Sequence, residues 1–437
     1  MNPQGAMSDL LAEMAQPEMP ANLGGAADSS AELPMRPGVI WRTLVAFWKL
    51  IAGALLCQTF LGSVVVLGWV QRSARRATLK YWWRMRPPQA ARYKNFESFA
   101  FEAEPTQEFA HWPNWVLSEH GPTKLRGGPR RWFGAFLNNA RLGTQAILNT
   151  WVLTLPGSLL WSIAWYDGWQ NSFNKGYEHA WVGPTTFGIG TMLFIGAMFY
   201  VPLAQARQAS TGQWRSFYDF KLIWYLVRRR WLASLGLAML CAGLSLPALV
   251  LKTWPAFMPQ VIEGQILKLE RAGQPISPTL KHPAEMATGE LVHELNQFFF
   301  LSALYVFPAF VVLRIVSARV YARGICDAIR SGGLTEDQLD DVEWQALHRL
   351  GLTQPQMISS SPALVRFMAG LGTRTGQLIA GVATTLVWLL FMVQVTTAEF
   401  FKYTSLGRGW WNQPLIQLPW FNYTPAELEA AAKADPN

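Results

Sequence analysis

Residues 184–206 read PTTFGIGTMLFIGAMFYVPLAQA, 23 residues without a single charge. A helix needs about 20 mostly apolar residues to cross a bilayer, and a surface helix of a soluble domain would show a polar face over that length. The stretch reads as a transmembrane helix. Segments 43–70, 144–168, 231–251, 297–320 and 376–400 repeat the pattern and predict five more spans. The expected fold is all-α: a polytopic membrane helix bundle with six transmembrane helices plus interfacial amphipathic helices. Composition agrees, since only 15% of the 437 residues are charged, against about 25% in soluble domains. Arg314 and Arg319, in the second half of the fifth span, are expected to snorkel to the interface.

The net charge of +9 could indicate nucleic acid, but its distribution follows the spans. Residues 71–143 hold 13 Lys/Arg against 5 Asp/Glu, and residues 205–230 hold 6 against 1. Basic residues near span ends stay cytoplasmic. This places 71–143, 207–230 and 321–375 inside the cell, and both termini in the periplasm of a Gram-negative bacterium. Anionic lipid on the cytoplasmic face accounts for the excess charge, and no nucleic acid is implied.

Residues 1–42 are rich in proline and acid and read as a disordered periplasmic tail. The cytoplasmic loop 71–143 opens with the basic, aromatic run RSARRATLKYWWRMRPP (72–88), which suits a helix in the headgroup layer. In it, GGPRR (127–131) starts a helix that could run on into the second span. The outer loop 252–296 holds amphipathic stretches. In loop 321–375, Thr335 and Gln338 form a capping box before a short helix with Leu339, Val342, Leu347 and Leu350 on one face. The segment 401–437 reads as a periplasmic tail ending in a short helix capped by Thr424.

After the opening stretch comes RQASTGQWRSFYDFKLIWYLVRRRWL (207–232). Thr211-Gly212 breaks the helix. Phe217, Phe220, Trp224 and Val227 then recur at helical spacing, with Arg215, Lys221 and Arg228 elsewhere, giving an in-plane amphipathic helix. Arg228, Arg229 and Arg230 hold the cytoplasmic side. Arg207, Trp214 and Asp219 exceed what a turn requires, so Arg207, Trp214, Arg215, Asp219 and Arg228–Arg230 form the candidate interaction surface.

Inside the membrane, spans two to five each carry one proline: Pro156, Pro202, Pro247 and Pro308. These are candidate helix breaks, of the kind that frame a transporter cavity. Polar residues include Gln58, Asn149, Thr150, Thr154 and Ser158, but no Asp, Glu, Lys or His lies near a span centre. That disfavours an ion-coupled carrier. Gly372, Gly376, Ala380 and Thr384, four apart, give the sixth span a helix-packing stripe.

No catalytic or metal signature emerges. Cys57, Cys241 and Cys326 are far apart in apolar surroundings and read as buried small hydrophobes. HELNQ (293–297) departs from the zinc-protease pattern at Gln297, where the second histidine is needed. No cofactor is implied.

The stretch SFNKGYEHAWVGPTTFGIGTMLFIGAMFYVPLAQARQASTGQWRSFYDF (172–220), with its Ala-Arg-Gln-Ala and Thr-Gly elements, resembles bacterial multi-pass membrane proteins grouped only as a domain of unknown function. The likeness covers about 145–330 and implies a bacterial inner-membrane location, with no reaction attached. The expected function is a non-enzymatic scaffold, assembly factor or accessory subunit binding protein or lipid. A transporter or channel built around proline-broken helices is the alternative, and a lipid-modifying membrane enzyme the third.

Overall fold

The computed structural model describes residues 39–87, 96–103, 128–164, 181–273, 288–353 and 415–420, together with parts of 375–390. Among them there are helices and turns and no strands. The helices are α1 Val39–Leu56, α2 Phe60–Met85, α3 Phe96–Ala103, α4 Gly128–Ile163, α5 Val182–Thr211, α6 Phe220–Arg229, α7 Trp231–Arg271, α8 Thr288–Arg330 and α9 Asp341–Arg349. Among the described residues four stretches are long and apolar enough to span a bilayer: α1, α5, Trp231–Ala248 of α7, and Gln297–Arg330 of α8. Leu193, Val250, Leu301 and Val312, between 47% and 63% exposed, lie on these helices. Side chains of that size facing outward on spanning helices suit lipid rather than water.

The first expected span, 43–70, is not one helix. It is interrupted at Cys57–Thr59, and α1 and α2 both pack on Phe307 of α8. A Cβ added at Gly53 would collide with the Phe307 ring, whose centroid lies 5.6 Å from that of Trp69. In a straight helix, residues 53 and 69 would be about 24 Å apart, so the chain bends sharply between them. The break satisfies its own backbone. Thr59 caps α2 by accepting from the Gly62 N–H at 3.1 Å, the Ser63 hydroxyl donates to the Cys57 carbonyl, and the Gln58 amide donates to the Ala54 carbonyl.

The prolines behave in the opposite way. Pro156, Pro202, Pro247 and Pro308 all lie within continuous helices, so none is a break. Each removes one backbone donor without ending its helix. The only interruption of an expected span among the described residues contains no proline.

Several expected loops are helix instead. Residues 71–85 continue α2, where Thr78, Leu79 and Trp82 are buried and the Trp82 indole donates to the Ala322 carbonyl of α8 at 3.1 Å. This run therefore packs against α8. As expected, the helix starting near residue 128 runs into the second span as α4. Over the described residues the second expected span is not among these four stretches; its helix carries the buried polar residues Asn149, Thr150, Thr154 and Ser158. Much of loop 252–296 belongs to α7 and α8. The sixth expected span, 376–400, lies largely outside the described residues.

Paired contacts give the directions. Gly68 faces Asn139 and Gly143 faces Val64, while Gly157 faces Gly190, so α4 runs antiparallel to α2 and α5. The Tyr305 hydroxyl donates to the Leu244 carbonyl at 2.7 Å, and Cys241 packs with Leu313, so α7 opposes α8. Helices α2, α5 and α8 thus run towards one shared end, which carries the arginines.

Close approach between helices depends on glycine. A Cβ on Gly143 would collide with the Val64 carbonyl, and one on Gly68 with the Asn139 carbonyl. Small residues let backbones meet where lipid offers no hydrophobic drive for association. The expected stripe does not play this part where it can be examined: Gly376 has open space beside it, and Gly372, Ala380 and Thr384 lie outside the described residues. Gly143→Ala is expected to destabilise the protein by about 1–3 kcal/mol through overpacking against backbone. Gly236→Ala, where a Cβ meets nothing within 4 Å, should cause no loss; thermal unfolding in detergent compares the two.

Candidate functional site: two buried arginines

The candidate surface begins where α5 ends. Gly212 adopts φ 74°, and its N–H donates to the Gln208 carbonyl. This left-handed position suits glycine and stops the helix as the sequence predicts. A 3₁₀ turn, Trp214–Tyr218, follows. Then Asp219 caps α6, its Oδ1 accepting from the Leu222 N–H at 3.1 Å. The other carboxylate oxygen, Oδ2, meets Arg207 Nη2 at 2.8 Å. One side chain therefore starts a helix and answers a buried cation.

An aromatic cluster holds the elbow together. Phe220 stacks on Tyr200 with centroids 4.9 Å apart, Phe217 meets Tyr200 edge-on at 6.0 Å, and the Tyr200 hydroxyl donates to the Phe217 carbonyl. Asn149 of α4 donates to the Trp214 carbonyl at 2.9 Å. The buried face of α6 is Leu222, Ile223, Leu226 and Val227. Of the residues expected to face lipid or bundle, Phe217 and Val227 are buried while Phe220 and Trp224 remain 46% and 40% exposed, because α6 rests on α5 and α8 through its aliphatic residues.

The seven proposed surface residues divide into two groups. Trp214, Arg215 and Arg228 are exposed, with the Arg215 guanidinium 5.7 Å from the Trp214 ring centroid. Arg207, by contrast, is 5% exposed and belongs to the interior, as does its bond with Asp219. Arg230 pairs with Asp327 of α8 at 3.3 Å. Arg229 donates to the Tyr225 hydroxyl and the Asp327 carbonyl. These two arginines brace α6 against α8, and Arg229 remains exposed.

Glu343, which the sequence reading did not single out, completes the Arg207 site. The expected capping box does not form. Thr335 makes no capping bond at its 3₁₀ turn, and Asp340 caps α9 instead, accepting from the Val342 N–H at 3.0 Å. This later start turns Glu343 inward, 1% exposed beside buried Ala346 and Leu347. The Tyr321 hydroxyl of α8 lies 2.8 and 3.1 Å from its two oxygens. Burial pushes the Glu343 carboxyl above the usual glutamate range, while Arg207 and hydrogen bonds from Ser210 and Tyr321 pull it back. A Glu two residues into a helix beside Asp341 looks like an ordinary acidic first turn, so no local signal marked it.

A second buried arginine lies deeper. Arg314 of α8 is 4% exposed and does not snorkel, unlike Arg319, which is exposed. Its Nη2 donates to the backbone carbonyl of Ile416, and its guanidinium lies 4.5 Å from the Phe310 ring centroid. The Gln205 amide donates to Thr150 Oγ1 at 2.6 Å and to the same Ile416 carbonyl at 3.4 Å. Gln417 donates to Thr154 Oγ1 at 2.9 Å. Residues 415–418 are buried, so this part of the expected periplasmic tail is packed among α4, α5 and α8. Non-helical backbone is tolerated within a membrane protein's bundle only where protein or water surrounds it, and here α4, α5 and α8 surround it. The short run LIQL between aromatic residues carried no sequence signal for this insertion, and the expected terminal helix at Thr424 lies outside the described residues.

All three cysteines are buried, as expected, and among the described residues no cluster of three or more His, Cys, Asp or Glu could hold a metal. Comparison with protein-family models, curated proteins and solved structures returned no match.

Asp219→Ala is expected to cost on the order of 3 kcal/mol, because it leaves Arg207 buried without its carboxylate and removes a helix cap. Asp219→Asn should cost less by keeping the cap; melting temperatures in detergent rank the pair. Glu343 gives a pH signature. Its folded pKa is raised, so the native state holds the proton more tightly and its contribution is full below the ordinary glutamate value of about 4.3. That contribution is lost as pH rises through the folded value. The melting-temperature difference between wild type and Glu343→Gln should therefore shift against wild type as pH increases over that window.

Proposed function

We propose that the protein is a non-catalytic scaffold, assembly factor or accessory subunit of the bacterial inner membrane, engaging a protein or lipid partner at its arginine-rich end. The observation that carries this reading is the separation of roles at the elbow. Arg207, Asp219, Tyr321 and Glu343 are turned onto one another inside. Trp214, Phe220 and Trp224 are held outward, 40–48% exposed, beside the exposed cations Arg215, Lys221 and Arg228. A rigidly backed aromatic and basic surface suits docking on a partner or on anionic headgroups. A lipid-modifying enzyme would need polar groups open to substrate at that interface, whereas the Glu343 carboxylate is enclosed and that of Asp219 is engaged by Arg207 and the α6 cap.

In this reading the arginine-rich end is cytoplasmic, the termini are periplasmic, and the resemblance to uncharacterised bacterial multi-pass proteins is one of lineage. A second reading, a transporter or channel, draws on the polar side chains of α4 and α5 that converge on residues 415–418.

The paired substitution Trp214→Ala with Arg215→Glu alters only exposed side chains, so thermal stability should change by no more than about 0.5 kcal/mol. In crosslinking and affinity purification from native membranes, the same variant should lose the stoichiometric partner or the anionic lipid that wild type retains. Undiminished recovery of both would remove the docking surface from this end. Reporter fusions at each terminus test the orientation, and a cytoplasmic signal at either end would reverse it.

A further inference from the structure

The environment of Arg314 is unbalanced in one direction. Its guanidinium is enclosed, and its Nε has no hydrogen-bond partner. The ion pairs Arg207–Asp219 and Arg230–Asp327 do not reach it. A second donor, the Gln205 amide, points to the same oxygen as Arg314 does, the Ile416 carbonyl. The Thr150 hydroxyl donates to the Ala146 carbonyl, so its oxygen is the acceptor for Gln205, and this fixes the Gln205 Nε2 towards Ile416. The Gln205 Oε1 is buried without a partner. A full positive charge and a convergent amide are thus met only by neutral partners, one peptide oxygen and the face of the Phe310 ring.

A carbonyl dipole does not neutralise a guanidinium. An enclosed cation with only a neutral acceptor is costly, and the same fork of donors would bind a carboxylate or phosphate oxygen more strongly. Arg207 provides the internal comparison: the same residue type, equally buried, sits 2.8 Å from a carboxylate. At Arg314 the oxygen comes instead from residues 415–418, a segment that belongs to no helix.

We propose that Arg314 and Gln205 form an oxyanion-binding site within the helix bundle, and that the Ile416 carbonyl occupies the position of the ligand oxygen in the closed state. The ligand carries a carboxylate or phosphate group, and its binding displaces residues 415–418. The shared chemistry is an oxyanion, supplied by a free anion or by a phospholipid headgroup. This goes beyond the docking reading and does not rest on it, because the two sites use different residues.

The test uses the full-length protein with Leu418→Cys, a position fully buried in the closed state, and follows maleimide labelling above the background of the three buried native cysteines. Leu415→Cys serves as a second reporter should the first variant fold poorly. The probes are sodium phosphate and sodium acetate at constant ionic strength against chloride, and nanodiscs containing phosphatidylglycerol against phosphatidylcholine alone. A minor open state is populated at about 0.1–10%, so a ligand that saturates it should raise labelling at least about tenfold. The rise should be saturable and absent in Arg314→Gln. A response to phosphate or acetate identifies a free anion, and one to phosphatidylglycerol alone identifies a headgroup. Labelling unchanged by every probe, or a rise that persists in Arg314→Gln, would overturn the proposal and leave Ile416 as a permanent strut.

Discussion

A guanidinium enclosed by helices has to be met by oxygen, and in this structure the chain itself provides it. Arg207 and Arg314 impose that requirement at two levels of the bundle, and much of the architecture follows. Arg207 needs Asp219, which brings the chain back after Gly212 and sets where α6 begins. The same neighbourhood draws in Tyr321 from α8 and Glu343 from α9, so three other segments converge on one cation. Arg314 needs the Ile416 carbonyl, which carries a distant part of the chain into the interior. Removal of either oxygen would leave a buried charge uncompensated, a much larger penalty than the loss of an exposed contact.

Between these two polar points the helices are held by surface shape. Gly68 and Gly143 bring α2 and α4 to backbone contact, and Gly157 and Gly190 do the same for α4 and α5. That closeness turns the polar stripe of α4 towards α5, so that Thr150 receives Gln205 and Thr154 receives Gln417. The glycine contacts and the buried hydrogen bonds therefore support each other. The prolines lie within continuous helices, while the true interruption at Cys57–Thr59 is built from polar side chains that replace the missing helix bonds.

The elbow joins architecture to the outward surface. Its aliphatic face is buried on α5 and α8, its carboxylate is bound inside, and its aromatic and basic residues remain outside. An aromatic surface on a firm base loses little conformational entropy when it meets a partner. Flexible surface side chains would have to be ordered first.

The sequence by itself determined the helical class, the spanning character of α5, the first part of α7 and most of α8, the stop at Thr211-Gly212, and the burial of the three cysteines. Each of these follows from local pattern: apolar run length, a glycine free to adopt positive φ, or the hydrophobicity of a lone thiol. It also marked Arg207 and Asp219 as exceeding what a turn needs, without showing that they bind each other. Only the tertiary structure decided which arginines are interior, since Arg314 and Arg319 stand five residues apart in the same helix and take opposite environments. It alone placed Glu343 against Tyr321, residues 415–418 among α4, α5 and α8, and the glycine contacts at Gly68, Gly143, Gly157 and Gly190. Those features depend on pairings across tens to hundreds of residues. A single sequence carries no local periodicity that encodes such pairings, whereas the geometry of packed helices does.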